Sequence, residues 1–585
     1  MKKIKVFSIL ALTGAAIIGV ALTSCSGNNS SKKAVYGIND NDEVAKINEC
    51  ELIFKENSEI PYVSLEDGTK FLSELRSAAL KDNKYKVEYK KNGNEYVLSN
   101  EAGGTCTINK EKQTLTYNDY DKFTAIVPDT QKPISLLPVL NKSLKVVSND
   151  YTAGKEVTFD LNGYSLLDIY EKDGKCYLPL SVYNSVLLNT CISMNLAYNG
   201  KDLFFMPGSV ISKNNLEGEP ELTEIGKKFY DGAAKDKISE EFMNYYYQSI
   251  CFDFNCEYGL EGNFTNFDEF LNQYKYKEKI LSTDPKQIDN YTAIALTWLG
   301  VKGDEHTALS ETSNMYKFRD NKIDTSQMNP VKVNHEEMDS KYKKAYQEAG
   351  IKTGYEFAKD KGTVFVTFDS FTDTNEKLLY KKNKDSDDEL LSMSNTACLF
   401  NELYKDLTSN TYKDTIKNIV IDVTANDGGS AEGLLYSLST LIGNVTVDTV
   451  NPVSGGHNKQ VFKADINADG KVDADDKSLS ELGFNIYFLD SEYSFSSANA
   501  MPYLAKLNNP NVKTLGQKTA GGPCAVRSYV TPIGSVISSS SLCVISKLEN
   551  GKYVNIDDGI KADYELTEEQ MINRNYILDN IDKWK

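Results

Sequence analysis

The stretch Thr415–Ser430 constrains the fold of this chain more than any other, because it passes from strand to helix across a pair of glycines. Residues 419–423 form an apolar run with one acid, which is typical of a strand buried on both faces of a sheet. Gly428 and Gly429 follow, and Ala431–Leu441 has a helical pattern. Backbone N–H groups beside two glycines at a helix start are open to a ligand, because no Cβ blocks the approach. This corner is either an ordinary turn or a site that stabilises an oxyanion.

A second corner of the same kind lies further along the chain. Phe484–Leu489 predicts another buried strand, and Ser494–Asn499 then opens a helix that runs through Leu507. A serine-rich helix start directly after a buried strand is a place where a nucleophile gains from the helix dipole. The alternative is that these serines only cap the helix. Val512–Gly516 predicts the next strand, and a glycine-rich loop follows at residues 517–523.

Length, charge and cysteine spacing limit the other functions open to the chain. At 585 residues it is too long for one hydrophobic core, so several domains are expected. The formal charge of −18 becomes −21 when residues 1–24, with three lysines and no acid, are removed, so nucleic acid is not an expected partner. The nine cysteines after Cys25 include no CxxC pair, so a zinc site is not expected. Cys251 and Cys256 are close enough in sequence for a local disulfide.

The N-terminus predicts export and lipidation. Three lysines precede an apolar run at Val6–Ala21, which is the order of a secretory signal peptide. Leu22–Cys25 resembles a bacterial lipobox, and this resemblance implies cleavage before Cys25 and a lipid on its thiol. We therefore expect a signal peptide at 1–24, a tether at 25–34 and a lipid-anchored protein at the extracytoplasmic face of the cell membrane. The alternative is an uncleaved signal anchor, and no later stretch is predicted to span a bilayer.

The rest of the chain divides by pattern into three regions. Residues 35–210 contain short alternating runs and two similar strand–helix–hairpin segments, which predict small α+β modules related by duplication. Residues 215–330 have helical periodicity and predict a helical cap subdomain that carries His306, one of three histidines. Residues 340–585 contain both corners, and within them Leu390–Leu407 predicts an amphipathic helix.

These pieces in this order resemble the carboxyl-terminal processing protease family of serine peptidases, and more closely its tricorn-core-like and retinoid-binding-protein-like branch. The resemblance rests on five motifs: I-D-x-x-x-N-x-G-G at 421–429, T-x-S-x-x-E at 494–499, G-x-x-T-x-G at 516–521, D-x-H at 304–306 and G-x-x-P-D at 559–563. The chain departs from them with Thr424 for an arginine, Asn499 for the glutamate and Ala562 for the proline. Over about residues 220–585, the resemblance implies an α/β fold with a crotonase-like ββα core.

The resemblance also implies catalytic roles. Ser496 would be the nucleophile, because it stands at the serine of T-x-S-x-x-E. Members with a serine–lysine dyad have a lysine at the position of Gly522, and Lys518 matches a different, non-catalytic position. His306 would therefore act as the base, as in the histidine-using branch of the family. A peptide or protein would be the substrate, with no cofactor needed for catalysis.

The remaining roles complete a Ser-His-acid site. Asp557 is preferred over Asp558 as the acid that orients the imidazole. The oxyanion would be held by backbone N–H groups at the two corners, from Gly428, Gly429 and Ser497. The rival hypothesis is a non-catalytic surface binding lipoprotein that keeps the protease fold, and it is motivated by Asn499, by Thr424 and by the open choice of the acid. The sequence does not indicate an oligomeric state.

Residues 465–476 independently predict a calcium site. They fit D-x-N-x-D-G-x-[IV]-D-x-x-D, which is similar to dockerin and EF-hand loops. The predicted ligands are Asp465, Asn467, Asp469, Lys471 through its carbonyl, Asp473 and Asp476. Gly470 permits the sharp turn of such a loop. We expect a structural Ca²⁺ in an insertion at 456–482, against the alternative of an acidic exposed loop.

Overall fold

The structure is a computed structural model that describes residues 30–39, 43–80, 86–125, 132–134, 136, 142–190, 193–215, 218–231, 237–260, 262–282, 284–299, 304–313 and 323–584. The predicted signal peptide and the predicted lipidation site, Cys25, lie outside the described residues. Within those ranges, no helix has the length and apolar character needed to cross a bilayer.

The N-terminal region is built on two sheets. Its elements are β1 (Ser30–Ile38), β2 (Val44–Ile53), β3 (Tyr62–Ser64), α1 (Leu65–Leu80), β4 (Val87–Asn92), β5 (Glu95–Asn100), β6 (Thr105–Asn109), β7 (Thr114–Tyr117), α2 (Tyr120–Thr124), β8 (Leu144–Thr152), β9 (Val157–Asp160), β10 (Tyr170–Lys172), β11 (Lys175–Pro179), α3 (Leu180–Tyr183), β12 (Met194–Tyr198) and β13 (Leu203–Pro207). One sheet has the strand order β10-β11-β3-β2-β1-β13-β12, and the other β4-β5-β6-β7-β9. The leading strands of the two similar sequence segments, β3 and β11, pair in the first sheet, whereas the hairpins that follow them, β4–β5 and β12–β13, lie in different sheets.

Helices dominate the next region. Its elements are β14 (Ser212–Asn215), β15 (Gly218–Leu222), α4 (Glu224–Tyr230), α5 (Glu240–Glu257), α6 (Phe267–Gln273), α7 (Lys277–Ile280), α8 (Pro285–Thr297), β16 (Ala308–Glu311) and α9 (Pro330–Ala349). The hydroxyl of Ser239 caps α5, and almost the whole of this helix is buried. Cys251 and Cys256 on α5 are both free thiols, so the local disulfide that their spacing allows is not formed.

The C-terminal region is a layered α/β unit, as predicted for the fold class. Its elements are β17 (Gly354–Ala358), β18 (Thr363–Thr367), α10 (Glu376–Leu379), α11 (Ser386–Met393), α12 (Thr396–Thr408), β19 (Asn418–Asp422), α13 (Ala431–Ile442), β20 (Val445–Val450), β21 (His457–Ala464), β22 (Asn485–Asp490), α14 (Ser497–Asn508), β23 (Lys513–Gly516), β24 (Cys524–Val530), β25 (Val536–Glu549), β26 (Lys552–Asn555), β27 (Tyr564–Glu565), α15 (Glu568–Ile572) and α16 (Arg574–Asn580). The main sheet has the order β17-β18-β19-β22-β23-β27.

Both predicted corners lie at the same edge of this main sheet. β19 and β22 are parallel neighbours, with Asp422 opposite Leu489 at their carboxyl ends. All five residues of β19 are buried, as its apolar pattern predicts. Parallel strands end at one edge, so the glycine corner after β19 and the serine corner after β22 meet there. The predicted single helix at Leu390–Leu407 is instead two helices, because Asn395 interrupts it and caps α12.

A further sheet, here called the connecting sheet, joins the three regions of the chain. Its order is β16-β25-β20-β21-β8, and β24 and β26 also pair with β25. β8 comes from the N-terminal region, and β16 follows the segment that carries His306. The long strand β25 therefore lies between the histidine-bearing segment and the peptidase core.

Candidate active site

Ser496 occupies the corner between β22 and α14 in a strained backbone conformation. Its φ is 54° and its ψ is −119°, a region that L-residues seldom adopt. Such a conformation costs about 1–3 kcal/mol and persists only where the surrounding structure holds it. The Ser496 N–H donates to the carbonyl of Gly521 at 2.8 Å. The residue directly precedes α14, so the predicted nucleophile lies at the positive end of that helix dipole.

The glycine corner packs directly against this serine. A Cβ on Gly428 would lie 2.6 Å from the Cβ of Ser496, and the φ of Gly428 is 110°. The carbonyl of Gly428 accepts the N–H of Phe371 at 2.8 Å, which fixes the turn from the other side. Only glycine meets both demands, the close approach and the positive φ.

The structure corrects one of the three predicted oxyanion donors. The N–H of Gly428 donates to Oδ1 of Asn426 at 2.8 Å, so it is not free to bind an oxyanion. The N–H groups of Gly429 and Ser497 make no hydrogen bond to another described residue. The Ser497 hydroxyl donates to the Gly429 carbonyl at 2.8 Å and holds these two segments together. Gly429 and Ser497 therefore remain the candidate donors.

His306 lies beside the nucleophile segment as a neutral imidazole. Its ring centroid is 4.7 Å from that of Phe495. Burial lowers the pKa of His306 to about 4, with Asp304 opposing this shift and Lys332 adding to it. Its Nε2 is buried without a hydrogen-bond partner in the described part of the chain, so it is not bonded to Ser496. Such catalytic hydrogen bonds are often long or misaligned before substrate binds.

The role predicted for Asp557 stays a prediction, because no contact between its carboxylate and His306 is found among the described residues. Its carboxylate accepts the N–H of Gly522 at 3.2 Å, and its own N–H donates to Asn555 at 3.1 Å. Asp557 therefore braces the glycine turn that carries the acceptor for the Ser496 N–H. The group that faces Nδ1 of His306 is the hydroxyl of Ser540, at 3.5 Å. Sequence patterns missed Ser540 because it lies far from the five motifs, in the interior of β25.

The positions of Lys518 and Gly522 both argue against a lysine as the base. Lys518 is exposed on the loop after β23. A Cβ on Gly522, the position of the lysine in the dyad enzymes, would lie 2.5 Å from a ring carbon of Phe495. The aromatic ring that contacts His306 therefore fills the space that such a lysine would need.

Helix α9 covers the histidine side of the site, an arrangement that no sequence pattern predicted. The ring of His335 on this helix lies 4.7 Å from Tyr493 and 5.8 Å from Phe495. Lys332 pairs with Glu305 at 2.5 Å, next to His306 in the chain. Burial lowers the pKa of His335 to about 4, so both histidines near the site are neutral.

Asn499, which replaces the glutamate of the family motif, is a structural residue. It is fully buried on α14. Its Oδ1 accepts the hydroxyl of Thr519 at 2.6 Å, and its Nδ2 donates to the carbonyl of Ile556 at 3.3 Å. The amide thus joins the nucleophile helix to the glycine-rich loop and to the closing motif without placing a charge in the core.

The predicted calcium loop has the sharp turn that its sequence indicates, and the carboxylates at its two ends accept hydrogen bonds from the backbone of the loop. Gly470 has a φ of 93°. The buried carboxylate of Asp465 accepts the N–H groups of Gly470 at 2.7 Å and Asp469 at 3.1 Å. Asp476 accepts the N–H groups of Ile466 and Asp473, both at 2.8 Å. No group of three or more His, Cys, Asp or Glu side chains is arranged to hold a metal among the described residues.

The strained serine at a helix start, the close glycine corner and the neutral histidine define a serine-hydrolase type of site on an α/β fold. Residues 367–566 match the family model of Peptidase family S41. This match confirms the predicted resemblance to a family of serine-type peptidases over residues 367–566. No curated protein matches the chain by sequence.

Several solved structures are remotely similar. The photosystem II D1 C-terminal processing protease is 14% identical over 37% of this chain and 45% of that chain, with a TM-score of 0.26. A lipoprotein from Streptococcus agalactiae is 14% identical over 58% of this chain and 96% of that chain, with a TM-score of 0.35. Mature CPAF is 16% identical over 38% of this chain and 50% of that chain, with a TM-score of 0.25. The chain spans less than half the length of the first of these.

Proposed function

We propose that this protein is a lipid-anchored, extracytoplasmic serine endopeptidase that cleaves peptides or proteins. Ser496 is the nucleophile and His306 the general base of this proposal. The observation that carries it is the strained backbone of Ser496, which is held at the start of α14 and packed on Gly428. The free N–H groups of Gly429 and Ser497 adjoin the same corner, and a protein that used Ser496 only as a helix cap would not need this strain.

In the proposed reaction, Nε2 of His306 takes the hydroxyl proton of Ser496 as Oγ attacks the peptide carbonyl carbon. The N–H groups of Gly429 and Ser497 donate to the oxyanion, an effect typically worth about 10²–10³ in rate per donor. The imidazolium then protonates the leaving amine, the C–N bond breaks, and an acyl-enzyme remains for water to hydrolyse. His306 must turn toward Ser496 for the first step, because its Nε2 has no hydrogen-bond partner among the described residues.

The anchor and the architecture are part of the proposal. The basic, apolar and Leu-x-Ser-Cys pattern at residues 1–25 supports a lipid on Cys25. The parallel strands β18, β19 and β22, with a helix after each corner, support a crotonase-like ββα core. Helices α4 to α8, which precede His306 in the chain, support the description of residues 215–330 as a cap.

One observation favours the rival function, a non-catalytic surface binding lipoprotein. The ring of Phe495 packs on both His306 and Gly522, and Nε2 of His306 makes no hydrogen bond to a described residue. A protein that has lost catalysis would have no need to align these groups. Reactivity of the serine decides between the two functions.

Labelling with a fluorophosphonate probe tests the proposal. We expect the wild-type chain to be labelled, Ser496→Ala to show no labelling, and His306→Gln to react slower by several orders of magnitude. Lys518→Ala is the matched control and should be labelled at the wild-type rate, because this lysine is exposed. A folded wild-type chain that shows neither labelling nor peptidase activity would support the binding function instead.

We also propose a structural Ca²⁺ in the loop at 465–476. The turn at Gly470 and the inward carboxylates of Asp465 and Asp476 support it. The ligands would be the predicted six, Asp465, Asn467, Asp469, Lys471, Asp473 and Asp476. The ion would offset repulsion among the carboxylates and brace the connection between β21 and β22, without contact with the substrate.

A further inference from the structure

Asp304 is the acid most closely tied to His306. Its Oδ1 accepts two hydrogen bonds, from the backbone N–H of His306 at 3.1 Å and from the hydroxyl of Ser540 at 3.0 Å. Its Oδ2 accepts the hydroxyl of Tyr258 at 3.0 Å and that of Thr307. The carboxylate is buried, and four donors satisfy its two oxygens. Asp304 is therefore fixed in one orientation, as a residue that positions another group must be.

Ser540 connects this carboxylate to the imidazole. Its hydroxyl lies 3.0 Å from Oδ1 of Asp304 and 3.5 Å from Nδ1 of His306. An ionised carboxylate only accepts hydrogen bonds, so the Ser540 hydroxyl must donate its single proton to Asp304. The Ser540 oxygen then has only lone pairs to offer to His306. This order of donors requires the proton of the neutral imidazole to be on Nδ1, and it leaves Nε2 with a lone pair.

The backbone around Ser540 makes its position rigid. The residue is fully buried in β25, which pairs with both β16 and β24. Its N–H lies 3.3 Å from the hydroxyl of Thr307, and its carbonyl accepts the N–H of Gly259 at 3.0 Å. These bonds fix the backbone of Ser540, and the hydrogen bond to Asp304 orients its hydroxyl.

We propose that Ser540 and Asp304 are positioning residues for His306, forming the relay Asp304–Ser540–His306 in the role predicted for Asp557. The inference rests on the proposed function of Ser496 and His306. The relay holds the imidazole in the tautomer whose Nε2 can take the serine proton. It also gives the imidazolium a buried negative charge one hydroxyl away when that proton arrives.

The tautomer of His306 tests the relay without any need for catalysis. The chain has only three histidines, so long-range ¹H–¹⁵N spectra of protein labelled with ¹⁵N-histidine can be assigned with His→Gln variants. At pH 7 we expect His306 to be neutral and protonated on Nδ1 in the wild type. In Ser540→Ala we expect this tautomer to lose its predominance, and Ser540→Thr should restore it because the hydroxyl returns. A wild-type His306 protonated on Nε2 would overturn the relay.

Labelling by the fluorophosphonate probe gives the second readout. We expect Ser540→Ala and Asp304→Asn to react slower by about 10²-fold, the scale of a misplaced catalytic group. Ser540→Thr should recover most of the rate. Ser539→Ala is the matched control, because that neighbouring buried hydroxyl has no hydrogen-bond partner among the described residues, and it should react at the wild-type rate.

The outcomes separate the relay from the proposed function. A wild type that is not labelled but has the Nδ1–H tautomer, lost in Ser540→Ala, would refute the peptidase and keep the relay geometry. A labelled wild type whose rate and tautomer are unchanged in Ser540→Ala would refute the relay alone. Equal loss of labelling in the alanine and threonine variants would also refute it, because that result indicates packing rather than the hydroxyl. Circular dichroism on each variant verifies folding, and Ser540→Cys replaces Ser540→Ala if the latter does not fold.

Discussion

Replacing Ser496 by glycine should stabilise the protein while it abolishes activity. The backbone at this residue, with φ 54° and ψ −119°, costs an L-residue about 1–3 kcal/mol but costs glycine almost nothing. Glycine loses about 0.5–1 kcal/mol through the greater freedom of its unfolded chain. The difference predicts that Ser496→Gly is more stable than Ser496→Ala by about 1 kcal/mol, although glycine is usually the less stable residue.

Equilibrium unfolding in urea, followed by tryptophan fluorescence, measures this difference between two equally inactive variants. The matched control is the pair Ser497→Gly and Ser497→Ala at the first position of α14. That residue is helical, so glycine should be the less stable member by up to about 1 kcal/mol. If Ser496→Gly is also less stable than Ser496→Ala, the backbone strain at the nucleophile is refuted, and with it the observation on which the proposed function depends.

Three further outcomes follow from the site and the loop. Because the pKa of His306 is lowered to about 4, the labelling rate should fall with decreasing pH only near pH 4. Lys332→Met should move this fall in rate to higher pH, because Lys332 lowers the pKa of His306. A wild-type rate that falls near pH 6.5 would contradict this. The unfolded state protonates this group first, so its contribution to stability is complete above about pH 6.5 and is lost as the pH falls toward 4. Gly428→Ala should abolish labelling through the contact with the nucleophile, whereas Gly163→Ala, which meets nothing within 4 Å, should not. Millimolar calcium should raise Tm by about 5 °C or more in calorimetry, and by less in Asp465→Ala. An unchanged wild-type melting curve would refute the proposed calcium site.

Local pattern was sufficient to predict the parts of the site that lie on single strand–helix corners. The apolar run before Asp422 and the serine-rich start of α14 each contain their own strand, turn and helix signals within a few residues. The meeting of the two corners was implied by the family resemblance, which assigned oxyanion donors to both of them. The family match over residues 367–566 covers this same part of the chain.

The proposed relay from Asp304 to His306 could not be predicted in this way, because it depends on tertiary distance. Asp557 lies near the closing motif in sequence, but its carboxylate is used by the backbone of Gly522. The contact between Ser540 and His306 joins positions 234 residues apart through a strand with no motif of its own. The loss of Gly428 as an oxyanion donor has a similar cause, since Asn426 reaches its N–H only after the turn has formed.

The connecting sheet, in which β25 joins the segment of His306 to the core, bears on when Ser496 can become reactive during biosynthesis. The histidine segment is synthesised long before the nucleophile, and Ser540 follows later still. A nascent chain that ends before β25 contains His306 without the strand that carries Ser540. On the proposed function, such a chain lacks the relay that positions His306, so the topology delays activity until almost the whole polypeptide has been synthesised and folded.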